Sequence, residues 1–192
     1  MTELLLQTER LVLRQPKLNE AAAVVDYYLR NRDHLAQWEP RRSPEFYTAS
    51  HWRTLLAENM DELAEGESAR FFVFERSTPK RVVGSCNLNN IIRSVFHACH
   101  LGYSMDGASQ GKGLGAEAVG AVVDFAFDTL GLHRVMANYQ PHNERSARLL
   151  ASLGFEVEGR APAYLYLDGR WCDHVLTARV ATDWLEGSGI DT

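Results

Sequence analysis

The sequence predicts an α/β fold of about seven strands and about four helices, and three observations carry the prediction. Seven short runs have strand character, four longer stretches repeat their apolar residues at helical spacing, and the two kinds are interleaved along the chain. No Pro/Gly/Ser-rich linker or internal repeat interrupts them, so residues 1–192 read as a single domain. A glycine-dense segment also joins one strand-like run to the longest helical one, and it carries the most chemistry in the chain.

The elements follow in order. Leu11-Val12-Leu13-Arg14 reads as an edge strand that ends before Pro16, because proline cannot donate to a ladder. Leu18, Ala22, Val25 and Leu29 recur at i, i+4, i+7 and i+11 and predict a helix with that face inward. A second helix follows at 50–64, with Trp52, Leu55, Leu56, Met60 and Leu63 as its apolar stripe and Glu58, Asp61, Glu62 and Glu65 as its solvated face. Strands at 70–75, 81–87 and 95–105 come next, separated by Ser77-Thr78-Pro79 and by Arg93-Ser94. Over 113–130 the period changes: Val119, Val122, Val123, Ala126 and Leu130 share one helical face, and Gly131 supplies a stop. A strand at 134–139 precedes a short helix at 143–153, opened by Asn143 and closed by Gly154. The last two strands, 155–167 and 171–181, form a hairpin through Asp168-Gly169, and the tail 186–192 is expected to fray.

Composition excludes several classes of function. Hydrophobic residues make up 45% and charged residues 23% of the 192 residues, close to the globular average, which argues against disorder or a collagen-like chain and allows a sizeable core. Twenty Lys and Arg against 25 Asp and Glu give a net charge of -5 at pH 7. That is the wrong balance for coating nucleic-acid phosphates, so no direct nucleic-acid binding is expected, and a basic partner suits it better. Residues 1–6 lack a basic segment before their apolar run, and no stretch approaches the roughly 18 apolar residues of a membrane helix. Cys86, Cys99 and Cys172 are odd in number and lack CxxC spacing, which fits neither a disulfide scaffold nor a zinc finger. Together these predict a reduced, cytoplasmic protein without membrane association.

The glycine-dense segment is Met105-Asp106-Gly107-Ala108-Ser109-Gln110-Gly111-Lys112-Gly113-Leu114-Gly115-Ala116. Without Cβ atoms, several backbone N–H groups can close on an anion at the positive end of the helix, which makes the segment a phosphate cradle. A Walker A loop needs Ser or Thr after its lysine, whereas Gly113 follows Lys112. Gly113-Leu114-Gly115-Ala116-Glu117-Ala118 matches GxGxxA, but a dinucleotide fold wants an acidic residue about 20 positions on, and 133–139 offers none. Gln110-x-x-Gly113-x-Gly115 instead matches Q/R-x-x-G-x-G/A and so resembles the pyrophosphate loop of acetyl-CoA-binding GNAT acetyltransferases.

That motif and several longer words identify a resemblance to the GNAT superfamily of N-acetyltransferases over nearly the whole chain. The words are Trp38-Glu39-Pro40, Phe96-His97-Ala98-Cys99, Leu101-Gly102-Tyr103-Ser104, Gln110-Gly111-Lys112-Gly113-Leu114, Met136-Ala137-Asn138-Tyr139, Pro141-His142-Asn143, Arg145-Ser146 and Asp173-His174-Val175-Leu176-Thr177-Ala178. The resemblance is strongest to members that acetylate the N-terminal alanine of a small-subunit ribosomal protein. It implies a mixed central sheet, acetyl-CoA as co-substrate, an acyltransferase activity and a protein N-terminus as acceptor. It further implies that the backbone of Tyr103, Ser104 and Met105 lies beside the pantetheine arm and that Gln110 and the amides of Gly111, Lys112, Gly113, Leu114, Gly115 and Ala116 hold the pyrophosphate. Asn143 would reach the cofactor, and Ser146 would protonate the departing thiolate. The chain departs from the family pattern twice: Leu150 stands where many members carry a tyrosine acid, and Asn138 where some carry a glutamate base.

The missing base fits an α-amine acceptor. With a pKa of about 7.7–8.0, roughly a tenth of such an amine is neutral at pH 7, whereas a lysine at about 10.4 has well under one part in a thousand available. Glu39 is the carboxylate placed to bind the acceptor's ammonium or to serve as base. Two other readings are a GNAT enzyme for a small amine (polyamine, aminoglycoside or amino acid) and a CoA-binding ribosome-assembly factor without turnover. Each site residue also has a plain role: Asn143 as helix N-cap, Ser146 bonded to a nearby carbonyl, Lys112 facing solvent. His97, Cys99 and His100 resemble metal ligands by type, but alternation sends His100 to the face opposite the other two, so no metal is expected. His142 and His174 are candidate proton acceptors by residue type and are as often structural. The oligomeric expectation is monomer or homodimer.

Overall fold

The computed structural model describes residues 4–182, so the expected fraying of 186–192 lies outside the described residues. Eight strands form one mixed sheet: β1 (Leu5–Gln7), β2 (Leu11–Arg14), β3 (Ala69–Glu75), β4 (Val82–Ile92), β5 (Ala98–Met105), β6 (Arg134–Met136), β7 (Glu156–Leu167) and β8 (Arg170–Val180), in the spatial order β1-β2-β3-β4-β5-β6-β8-β7. Five helices flank it: α1 (Ala21–Arg30), α2 (Arg32–Leu35), α3 (Ala49–Glu65), α4 (Leu114–Asp124) and α5 (Glu144–Ser152).

Both faces of the sheet are covered, and β3 shows how. Its run Phe71-Phe72-Val73-Phe74 is buried throughout, as expected of a strand packed on two sides. Phe71 and Val73 pack on Val119, Val122 and Val123 of α4. Phe72 and Phe74 pack on Val24, Tyr27 and Tyr28 of α1 and on Trp52 and Leu56 of α3. The second cluster is largely aromatic: Tyr28 stacks on Trp52 at 5.0 Å and meets Phe46 edge-on at 4.8 Å.

Local signals set the element ends. Thr48 caps α3 by accepting from the His51 amide, and Gly66 closes it with φ 75°. Asn143 caps α5 through Oδ1, which accepts from the Ser146 amide at 3.1 Å. Asp168 and Gly169 both have positive φ, 46° and 79°, the geometry of a two-residue hairpin turn.

Four expectations need correction. β2 is not the edge of the sheet, because β1 pairs with it antiparallel; β1 is the added eighth strand, and the single turn α2 is the added helix. The inward face of α1 is Ala21, Val24, Tyr27 and Tyr28, while Leu18 and Leu29 are exposed. The two tyrosines carry more apolar area than the aliphatic stripe and claim the core. Met60 of α3 is likewise exposed while Asn59 beside it is buried. Finally, β5 begins at Ala98, after His97 turns with φ 41°, and Val95 lies 93% exposed before it.

One buried carboxylate joins α1, β4 and the end of β5. Asp106 is 3% exposed and receives Arg30, Arg81 at 3.1 Å and the Ala108 amide at 3.0 Å. Arg30 also donates to the Val82 carbonyl at 2.9 Å. Burial alone would raise the Asp106 carboxyl, but the Ala108 amide and the two guanidiniums outweigh it and hold it below the usual 3.8. A depressed carboxyl stabilises the fold above its unfolded pKa and loses that contribution as pH falls through the native value. Asp106→Asn is therefore expected to lower the unfolding free energy at neutral pH by about 1–3 kcal/mol. In urea titrations the gap from wild type should close as pH drops below about 3.9; a gap that persists in acid would contradict the assignment.

Candidate active site

The site begins where two strands part. β5 and β6 are the one parallel pair in the sheet, and their register covers only Ala98↔Arg134, Cys99↔Val135 and His100↔Met136. Beyond it β5 stays with β4, while Ala137 and Tyr139 donate to the Thr177 and Val175 carbonyls of β8. Residues 103–105 therefore present one backbone edge to an opening. Asp106 donates its N–H to the Val83 carbonyl of β4, so alternation turns the Ser104 amide toward β4 and the Tyr103 and Met105 amides toward the gap.

A cavity of about 800 Å³ lies against that edge, with residues 142–149 as its opposite wall. Among the residues singled out from sequence, Glu39, Tyr103, Ser104, Met105, Gln110, Gly111, Gly113, Leu114, Gly115, Ala116, Asn143 and Ser146 line it. Lys112 does not: its carbonyl accepts from Arg10 at 2.8 Å, and its side chain is not on the cavity wall. Each wall has a physical cause. Gly111 and Gly113 take φ 75° and 77°, values that glycine adopts freely, and α4 starts immediately after Gly113 with no side chain capping its first amides. A Cβ on Gly115 would stand 3.1 Å from Leu149 Cδ1 and 3.5 Å from Met105 Cγ, so the small residue lets α4 approach α5 and β5.

The loop is tied from three sides. Gly107 donates to Asn31 Oδ1 at 2.9 Å, and Gln110 Nε2 lies 2.8 Å from His34 Nε2. Glu117, in the first turn of α4, accepts from Thr8 Oγ1 at 2.5 Å, from the Arg10 amide at 2.9 Å and from the Arg10 guanidinium at 2.6 Å. Burial alone would raise the Glu117 carboxyl; Thr8 and Arg10 outweigh it and keep it ionised, with a cation alongside. The positive helix end thus stays available to an anion although a glutamate stands in its first turn.

At the middle of the cavity two hydroxyls meet: Tyr103 Oη and Ser146 Oγ are 2.5 Å apart. Burial pushes the Tyr103 phenol up to about 12, against the bond from Ser146, so it keeps its proton at neutral pH. The Tyr103 side chain is a functional group that the sequence reading missed, having assigned only its backbone; no local signal links it to a serine 43 residues away. Leu150, at the position of the absent family tyrosine, is 1% exposed and belongs to the core. Asn138 stays with the hairpin, donating to Tyr164 Oη at 3.3 Å and accepting from the Thr177 amide at 3.4 Å.

The far end is closed by Trp38, Glu39 and His142, with Trp38 stacked on His142 at 5.2 Å. The Glu39 side chain is 21% exposed and accepts from Arg42 at 3.3 Å; burial raises its carboxyl above the usual 4.5, against the pull of Arg42. Cys99 is fully buried on the α4 face, and burial raises its thiol to about 12. His100 points to the other face by alternation. Among the described residues no cluster of His, Cys, Asp and Glu is arranged to hold a metal ion, and no helix is long and apolar enough to cross a membrane. His174 is buried, with Nδ1 3.0 Å from the Cys172 carbonyl.

Comparison with known proteins bears on the family and the fold. The acetyltransferase (GNAT) domain family matches residues 10–156. The [ribosomal protein uS5]-alanine N-acetyltransferase of Escherichia coli (strain K12) is 44% identical over 182 residues, covering 95% of this chain and 93% of that protein. The solved ribosomal-protein-S5-alanine acetyltransferase from Vibrio fischeri has a TM-score of 0.90 at 39% identity, covering 95% of this chain and 100% of that one. Mycobacterium smegmatis RimJ in complex with CoA-disulfide has a TM-score of 0.82 at 28% identity, covering 89% and 82%.

The cradle's conformation gives a direct test. Gly111→Ala and Gly113→Ala each place a side chain at positive φ, and each is expected to cost about 1–2 kcal/mol in urea unfolding. A loss near zero at Gly113 would mean that the helix start does not need the left-handed turn.

Proposed function

The chain belongs to the GNAT acetyltransferase family, and on that footing we propose that it transfers acetyl from acetyl-CoA directly to a protein N-terminus, the N-terminal alanine of a small-subunit ribosomal protein. The observation that carries this reading is the cavity between the end of β5 and α5, with an anion cradle at one end, a hydroxyl pair in the middle and a partly buried carboxylate at the other. The acceptor comes from the 44% identical relative, whose substrate is the alanine of uS5. The same reading makes the protein a single cytoplasmic acetyltransferase domain.

Acetyl-CoA enters as a substrate. Gln110 and the amides of Gly111, Gly113, Leu114, Gly115 and Ala116 face its pyrophosphate, with charge stabilisation from the start of α4. The backbone of Tyr103, Ser104 and Met105 runs beside its pantetheine arm, with Asn143 opposite. Asn143 is shown as the cap of α5, and lining the cavity is compatible with that role. Mycobacterium smegmatis RimJ, solved in complex with CoA-disulfide, supports the choice of co-substrate.

The neutral α-amine attacks the thioester carbonyl, forming the C–N bond while the carbonyl oxygen takes up negative charge. The Tyr103 or Met105 amide, directed into the gap, stabilises that oxyanion. Collapse breaks the C–S bond and leaves a thiolate, which takes the Ser146 hydroxyl proton. Tyr103 replaces that proton along its 2.5 Å bond and regains one from solvent. The amine's proton leaves at the other end of the cavity, to Glu39 or to water beside it, and the raised Glu39 carboxyl is the better base for it. No acetyl-enzyme is formed.

Initial rates on an Ala-starting peptide and on a panel of small amines test the acceptor; transfer to small amines alone would overturn it. Ser146→Ala is expected to lower kcat by about 10²-fold with acetyl-CoA affinity retained, since general-acid groups contribute about 10²–10⁴. Tyr103→Phe should lower kcat less than Ser146→Ala, and the double variant should be no worse than the serine variant alone, as members of one relay behave. Unchanged turnover in Ser146→Ala would remove both hydroxyls from the reaction.

A further inference from the structure

Beside the main cavity lies a second pocket, of about 240 Å³, lined by Tyr28, Leu35 and Tyr47, by the three arginines Arg32, Arg41 and Arg42, and by the carboxylates of Glu39 and Asp168. Leu35 and Glu39 belong to both cavities, so the two adjoin along one wall. Three guanidiniums face two carboxylates here. Arg42 is held by Glu39 at 3.3 Å and lies 4.5 Å over the Phe46 ring. Arg41 donates only its Nε to Asp168, at 3.1 Å, and its side chain is 75% exposed. Arg32 lies 5.2 Å over the Tyr47 ring and has no carboxylate partner among the described residues.

We propose that this pocket is a side-chain subsite that selects a carboxylate among the first residues of the acceptor chain, an inference that rests on the protein N-terminus being the acceptor. The amine must stand in the main cavity near Glu39, and an extended chain advances about 3.3 Å per residue, so a side chain a few residues on passes the shared wall. Its methylene stem lies against Tyr28 and Tyr47, and its head meets Arg32 and the unused Nη atoms of Arg41. Guanidinium groups hold carboxylates through two parallel N–H donors, and a partly enclosed site strengthens that pairing. The pocket reverses the expectation drawn from the net charge of -5: overall charge acts on long-range approach, while selection at the mouth is by local positive charge.

The test uses Ala-starting peptides in a Gly/Ser background with a single Glu at position 2, 3, 4 or 5, each beside its Gln and Lys counterparts, with a small-amine panel as control. At one position the Glu peptide should exceed its Gln counterpart in kcat/KM by about tenfold, the size of one charge-assisted contact. That ratio should collapse toward one in Arg32→Gln and Arg41→Gln. In Arg32→Glu the preference should pass to the Lys peptide, an outcome that loss of folding cannot imitate. Peptides that turn over with equal Glu and Gln rates at every position would overturn the subsite and leave the acceptor assignment standing. Turnover of small amines but of no peptide would overturn both.

Discussion

The three-residue parallel contact between β5 and β6 is the constraint on which the site depends. Strands that stayed paired would satisfy each other's amides and leave no gap. Here β5 keeps its partner on one side, β6 follows β8 on the other, and the backbone of 103–105 is left with one edge facing the cavity. Backbone amides freed from a ladder remain hydrogen-bond donors, so this edge is suited to a ligand with a backbone-like amide arm. Both faces of the sheet are heavily packed around this defect, which keeps the strands from closing on it.

The cradle beside the gap is shaped by contacts distant in sequence. Its entrance is Asp106, held by Arg30 and Arg81; its middle is tied to α2 through Asn31 and His34; its exit is the Gly113 turn and Glu117. These anchors leave the α4 amides free while fixing the backbone that carries them, which is the preorganisation an anion site requires. The same α1–α2 segment leads on to Trp38 and Glu39, so the two ends of the cavity hang on one short stretch of chain.

What was legible in the sequence followed from local requirements. The glycine loop, the Asn143 cap, the Gly131 and Gly154 stops and the Asp168-Gly169 turn each answer a need for a particular backbone angle or a short acceptor, so one residue type betrays them. The face of α1 was not legible, because two apolar stripes one step apart compete and the aromatic area of Tyr27 and Tyr28 decides between them only against Phe72 and Trp52. β1 escaped notice because three residues carry too little alternation to register. The Tyr103–Ser146 pair joins residues far apart in the chain, and the arginine pocket, though built mostly from residues 28–47, is completed by Asp168 of the β7–β8 turn.

Arg10 gives the sheet's outer strands an unexpected share in the site. One guanidinium holds the Lys112 carbonyl of the loop and the Glu117 carboxylate of α4, while Thr8 binds the same carboxylate. The turn between β1 and β2 therefore folds as one cooperative unit with the cradle. By thermodynamic reciprocity, whatever occupies the loop must slow the opening of that terminal hairpin, and fraying of the hairpin must release occupant. Amide hydrogen exchange in the first two strands then becomes a gauge of saturation at a site that none of their residues touches.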